Sequence, residues 1–166
     1  MRKWNFDVAM LLLRVGIGLV FIPHGYPKVF GEGGAAAFAA DVPNYHLPVF
    51  LGYVAAYAEM FGAVLLIAGF LTRLDALLLA GTMAAAAFLV QLPDALYGLQ
   101  PGASKFMEAM RAMEMPFTLM IGCLVLVLLG PGRISIDALL RLEERVAGVF
   151  RKRKAAAEAA AVQTHS

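Results

Sequence analysis

The stretch PVFLGYVAAYAEMFGAVLLIAGFL, residues 48–71, decides the fold. Its apolar side chains continue for about the length a helix needs to cross a bilayer, roughly 20 residues. One carboxylate, Glu59, stands near the middle. Gly52, Ala55, Ala56, Gly62 and Ala63 flank it at helical spacing. The acid therefore lies on a stripe of small residues, where neighbouring backbones approach closely. A carboxylate turned towards acyl chains is costly, so the stripe is expected to face protein and Glu59 to have a partner inside a bundle.

The rest of the chain fits that reading. Of its 166 residues 61% are hydrophobic and only 16% charged, and the mean hydropathy is +0.74. A soluble domain of this length has too little interior to hide so much apolar surface, which makes the chain an integral membrane protein. The net charge of +2 is uninformative by itself. A single cysteine, Cys123, excludes an intrachain disulfide, a dithiol redox centre and a thiolate metal cluster. No basic patch with interleaved aromatics points to nucleic acid.

Working outward, residues 8–22 form an apolar run behind Arg2 and Lys3. No small-residue cleavage site follows directly, so this is expected to be a retained first span rather than a signal peptide. The run is too short unless the helix continues past Pro23 towards Val29, with Pro23 and Pro27 bending it near the outer interface. Residues 31–47 read as a loop punctuated by glycine and proline, with a short interfacial helix at 35–40. After the second span, residues 72–75 read as a tight turn. The third span is expected over 76–91 and onward to Leu96 past Pro93.

A second loop is expected at 97–103, then a short amphipathic helix at 104–114 capped by Ser104, and a fourth span at 117–129 that starts or kinks at Pro116. The run Gly130-Pro131-Gly132 stops that span. Ser135 caps a further helix with an apolar stripe through Ile136, Leu139, Leu140, Val146 and Phe150, expected to lie on the membrane surface. The basic run at 151–154 would hold it to anionic lipid. The fold class is thus all-α: a four-transmembrane-helix bundle over 1–132, with short interfacial helices, followed by a cytoplasmic amphipathic helix and a basic, Ala-rich tail over 133–166. Ten Lys and Arg fall on the side of the termini and the Arg73 turn, three on the other, and Arg14 lies within the span. The positive-inside rule puts both termini in the cytoplasm. There is no convincing internal repeat.

Arg14 and Glu59 are the clearest intramembrane charges. Counting along the helices puts Arg14 roughly 10 Å, and Glu59 roughly 18–20 Å, above the cytoplasmic side. A guanidinium bridges much of that gap, giving an Arg14–Glu59 ion pair, although His24 and Lys28 are placed to reach Glu59 from above instead. Such a pair either fixes helix register or handles protons and a polar ligand. His24, Lys28 and Glu114 make a second polar group near the outer face. There a histidine relays protons and a cation holds a carbonyl or anionic oxygen, or else Lys28 snorkels to headgroups.

Met107, Met110, Met113 and Met115 offer soft ligands, but such methionines more often form the buried side of a helix, and no metal site is assigned. His46 and His165 lie in a loop and a tail, leaving no facing pair for haem. Gly31-x-Gly33-Gly34 has no strand before it and is not a phosphate loop. Cys123 is a small packing residue.

Several ordered motifs carry a family resemblance. Residues 14–28, RVGIGLVFIPHGYPK, resemble the first-helix signature of the DoxX/DoxD family of bacterial membrane proteins. Glu59-Met-Phe-Gly62 and residues 67–73, IAGFLTR, resemble its second-helix motif, and residues 130–137, GPGRISID, its end-of-bundle motif. The resemblance covers roughly residues 11–140. It implies a four-helix membrane bundle acting as an oxidoreductase component. The DoxD branch resembles the membrane subunit of thiosulfate:quinone oxidoreductases, and other members are reported with redox-enzyme partners. The fold also looks similar to that of the vitamin K epoxide reductase group, whose dithiol this chain lacks. Arg14, His24, Lys28 and Glu59 map onto the family's recurrent polar positions, though a shared fold does not fix the chemistry.

The leading expectation is a membrane subunit of a redox system. Glu59 and His24 would be its catalytic residues, and Arg14, Lys28 and Glu114 would bind a quinone or similar polar-headed molecule. Electrons would come from a protein partner, and membrane lipid surrounds the whole. The rival expectations are a non-catalytic anchor or assembly subunit of a larger complex and, third, a small-solute or metal transporter, the last disfavoured by four spans without an inverted repeat.

Overall fold

The computed structural model describes residues 2–93 and 103–140. It is an all-α bundle with four helices long and apolar enough to cross a membrane. Helix α1 (Arg2–Phe30) is followed by a short helix α2 (Gly34–Asp41) and a 3-10 turn at Val42–Tyr45. The second and third spans are α3 (Val49–Ala68) and α4 (Thr72–Gln91). Helix α5 (Ala103–Leu129) contains the fourth span, and a four-residue α6 (Ile136–Leu139) follows it.

α1 runs through both Pro23 and Pro27 to Phe30. Each proline removes one backbone donor, a loss that a helix in lipid tolerates when neighbouring groups cover the freed carbonyls. α1 packs along the second half of α3, and α2 folds back over the first half. Both approaches are backbone-close. A side chain on Gly18 would strike Ala63 and Ile67, and one on Gly52 would strike Ala39 of α2. The small-residue stripe of α3 therefore faces protein, and Gly52, Ala56, Glu59, Gly62 and Ala63 are all buried. α4 packs along α5, and Ile17, Phe21, Leu66, Leu79, Cys123 and Leu126 meet in the core. Leu12, Leu19, Phe50, Phe61, Leu77 and Leu128 point outward, as helices bathed in acyl chains require.

Two departures from α geometry matter for the site. Ala58–Gly62 in α3 and Ala86–Gln91 at the end of α4 are π-helical turns. Such turns widen the helix, re-aim side chains and are frequent at functional sites. α3 and α4 touch through the Ala58–Gly62 turn and the residues after it. Before that turn α3 stands away from α4, which leaves a cleft between them.

Two expectations are corrected. First, residues 104–114 and the fourth span form one helix, because Pro116 is absorbed within α5. Second, the reversal between α3 and α4 is at Gly69–Leu71, where Gly69 and Leu71 take left-handed φ of 71° and 50°. Thr72 and Asp75 accordingly belong to the first turn of α4. The expected cap at Ser135 is present, its hydroxyl accepting from Ala138 N at 3.1 Å. Gly130, Pro131 and Asp137 are buried, while Ile136, Leu139 and Leu140, which begin the apolar stripe, are exposed. The amphipathic stripe beyond Leu140, the 151–154 basic run and most of the 97–103 loop lie outside the described residues.

Candidate functional site

Two groups of charges are buried in the bundle. The first is on α1 and α3. Gly25 of α1 lies against the backbone of Glu59 and Met60, so close that a Cβ there would sit 2.6 Å from Met60 N. This contact fixes the height of α1 on α3, and Lys28, one turn beyond Gly25, comes opposite Glu59. Lys28 Nζ lies 2.7 Å from Glu59 Oε1 and 2.6 Å from Oε2. Glu59 is 2% exposed and sits inside the π-helical turn. The Lys28 ammonium also lies 4.6 Å from the centre of the Phe38 ring, which α2 holds over it.

This pair forms part of the wall of the cleft between α3 and α4, a cavity of about 770 Å³. Leu51, Val54 and Ala55 line it from α3, and Leu74 through Val90 from one face of α4. Phe38, Asp41, Val42 and Tyr45 roof it. Its polar groups gather at one end around Lys28, Glu59, Asp41 and Tyr45, while the α4 wall is apolar except at Thr82. The Thr82 hydroxyl donates back to Leu79 O at 2.9 Å. An ammonium carries three donors, so Lys28 has capacity for an acceptor from the cavity beyond what Glu59 takes.

The second group lies at the other end of the bundle, beneath the α3–α4 turn. Arg14 is fully buried and donates through Nη2 to Ile134 O, while its Nε and Nη1 have no hydrogen-bond partner and Asp137 acts on it only through its field. Asp137 accepts from Leu71 N at 2.7 Å and from Thr72 N at 2.8 Å, capping α4 from 65 residues away along the chain. Its own N–H donates to Gly69 O at 2.9 Å. Asp7 Oδ1 accepts from Arg133 N at 2.9 Å. The guanidinium fills the space that a side chain on Gly69 would occupy, so glycine is needed there for room as well as for φ.

Of the five residues expected to form a site, the structure brings Lys28 and Glu59 together. The expected Arg14–Glu59 pair is not made: Arg14 reaches the other way, to the segment that closes the bundle. His24 and Glu114 are both exposed and neither lines the cavity. His24 shares a face with Lys28, but α2 covers only Lys28. Helix counting gave Glu114 the right depth and left its direction around α5 open. Among the described residues no group of three or more His, Cys, Asp or Glu is placed to hold a metal ion. Met107 and Met115 are exposed while Met113 is buried, so the methionines do not converge. Sequence reasoning missed Asp7, Asp75 and Asp137, all buried, because each stands beside a turn or terminus where a carboxylate is ordinarily solvated. The GPGRISID motif contained Asp137 and was the one available signal.

Comparison with known proteins agrees with this architecture. The DoxX family profile matches residues 9–92. The inner membrane protein YqjF of Escherichia coli (strain K12) is 33% identical over 138 residues, covering 81% of this chain and 93% of YqjF. "Putative oxidoreductase CatD" of Bacillus subtilis (strain 168) is 38% identical over 88 residues, 53% of this chain and 63% of CatD. The inner membrane protein YphA of the same Escherichia coli strain is 30% identical over 77 residues, 44% of this chain and 54% of YphA. The chain thus spans nearly all of YqjF and less than two thirds of the other two. No solved structure matches it. The chain belongs to the DoxX family.

Proposed function

We propose that this DoxX-family bundle is the quinone-binding membrane subunit of a redox system in a bacterial inner membrane, with both termini cytoplasmic. The observation that carries the reading is the Lys28–Glu59 pair, its carboxylate buried and its lysine side chain 25% exposed, set in the wall of an apolar cavity of about 770 Å³. A purely structural pair needs no such space beside it. The volume lies in the range of small-molecule sites, which are mostly apolar with a few convergent polar groups. A quinone suits the donor set, since its ring carbonyls accept hydrogen bonds and its tail is apolar. When bound, it would supply the two-electron chemistry that the side chains lack.

The chain's own residues divide the remaining work. Lys28 donates to a carbonyl oxygen at the polar end of the cleft. Glu59, held by Lys28 and the π-helical turn, holds or releases a proton beside it. Phe38 and the roof exclude water from the pair and so strengthen its field. The leucines of α4 take the apolar tail. Electrons come from a protein partner, and the name of the relative CatD, an oxidoreductase, is in keeping with the redox role alone.

The test is photolabelling with an azido-ubiquinone, followed by peptide mapping, and competition by decyl-ubiquinone. Labels should map to α3, α4 and the α2 roof, and Lys28→Met should reduce labelling about tenfold or more, given the strength of a charge-assisted hydrogen bond. Labels spread over the lipid-facing surface and indifferent to Lys28→Met would sink the reading. A second reading, an assembly subunit, is favoured by the exposure of His24 and Glu114 within the bundle's outer surface. It predicts a stoichiometric partner in native-membrane pull-downs that is lost on substitution of those two residues.

A further inference from the structure

One buried acid is used by neither charged group. Asp75, in the first turn of α4, is 6% exposed, and its Oδ2 has no hydrogen-bond partner. Thr72, one turn earlier on the same face, is fully buried, and its Oγ1 also lacks a partner. Buried polar atoms are nearly always satisfied, so two orphans one turn apart point to a role for that space, with water as the natural occupant.

The surroundings give the acid a direction. Asp75 Oδ1 rests on Gly62 of α3, where an added Cβ would lie only 2.6 Å from it. Gly62 closes the π-helical turn that carries Glu59, three residues after it. The missing side chain thus lets the Asp75 carboxyl lie directly against the helix that holds the Lys28–Glu59 pair. The other ionisable groups nearby are Cys123 of α5, Arg73 on α4 itself, Asp137 at the Thr72 amide and Arg14 at Gly69. None of them donates a hydrogen bond to Oδ2.

We propose that Asp75 supplies protons to Glu59 from the face of the bundle that carries the Arg73 turn, taking them by way of Thr72 and passing them on, alongside Gly62, through water at its own unpartnered Oδ2. A protonated Asp75 gives its proton through that water to the Glu59 carboxylate. The resulting Asp75 carboxylate is reprotonated from solvent past Thr72, so one proton enters for each one delivered. The inference deepens the quinone-site reading and rests on it for its purpose. The proton route itself is testable without quinone.

The experiment is time-resolved infrared spectroscopy of the purified full-length protein after a downward pH jump, with no quinone present. Growth of the protonated Glu59 carboxyl band, identified by its absence in Glu59→Gln, reports proton arrival. In Asp75→Asn the band should grow about a hundredfold more slowly, the low end of what a positioned proton donor contributes. Asp75→Glu should restore most of the rate, and Thr72→Val should slow it less. A purely structural role would alter thermal stability but not this rate. If Asp75→Asn fails to fold, Asp75→Glu combined with Thr72→Val provides the measurement. An unchanged rate in Asp75→Asn, or in that combination, overturns the proposal and means that protons reach Glu59 through the cavity. Decyl-ubiquinone binding, measured in parallel, should be unchanged in Asp75→Asn. Loss of binding in the wild type itself would instead remove the quinone reading while leaving the proton result standing.

Discussion

The two buried charged groups of this bundle are built from the same kinds of residue and differ in what surrounds them. Around Arg14 and Asp137 the partners are backbone: carbonyls of Ile134 and Gly69, amides of Leu71 and Thr72. Every one of those contacts joins two segments distant in the chain, and none of these residues lines the cavity between α3 and α4. Around Lys28 and Glu59 the partners are side chains, and one wall is missing. Burial of charge is common to both, so burial alone separates nothing. What separates a clasp from a site is whether the charged atoms tie distant backbone segments together or line a cavity.

If that contrast is right, the clasp should govern stability and the site should govern binding. The largest effect on folding is expected from Asp137→Ala. It strips the cap from α4 and leaves the Leu71 and Thr72 amides without their acceptor, costing about 1–3 kcal/mol for each. Thermal unfolding in detergent should show it. Next, Glu59→Gln should abolish most azido-ubiquinone labelling while costing about 1–3 kcal/mol, because Lys28 has the cavity's edge as an alternative environment. The double variant Lys28→Met/Glu59→Leu sharpens the point: stability should recover towards wild type, since apolar replacement of a buried pair is often neutral, yet labelling should stay lost.

Gly25→Ala should cost about 1–3 kcal/mol through overpacking against Met60 and should weaken labelling in step, because the same contact sets the height of Lys28. Smallest of all, His24→Ala and Glu114→Ala should each change stability by no more than about 0.5 kcal/mol and leave labelling intact, as exposed positions do. A large labelling defect in His24→Ala would break the division between site and surface drawn here.

How legible this was in the sequence depends on which physical quantity is asked for. Depth was legible. Hydropathy located four spans, the extension of α1 through its two prolines, and the inward face of Glu59 by its stripe of small residues. Direction around a helix was legible only where small residues marked a packed face, which is why Glu59 was placed correctly and Glu114 was not. Contacts between distant segments were not legible. Arg14 sits at a depth that invites pairing with Glu59, yet it is claimed by a segment 120 residues later. The same holds for Asp75 and Asp137, which read locally as polar residues beside loops and become interior only when another segment covers them. The π-helical turns left no trace in composition, since they arise from packing.

The roof formed by α2 has a consequence for how any occupant arrives. It shuts the cleft towards the water on its own side, while Val54, Leu74, Leu77 and Leu89, all substantially exposed, edge the gap between α3 and α4. A visitor therefore comes sideways, by two-dimensional diffusion within the leaflet. Its affinity is properly a mole fraction in lipid, so that diluting the vesicles at a fixed lipid ratio should leave occupancy untouched.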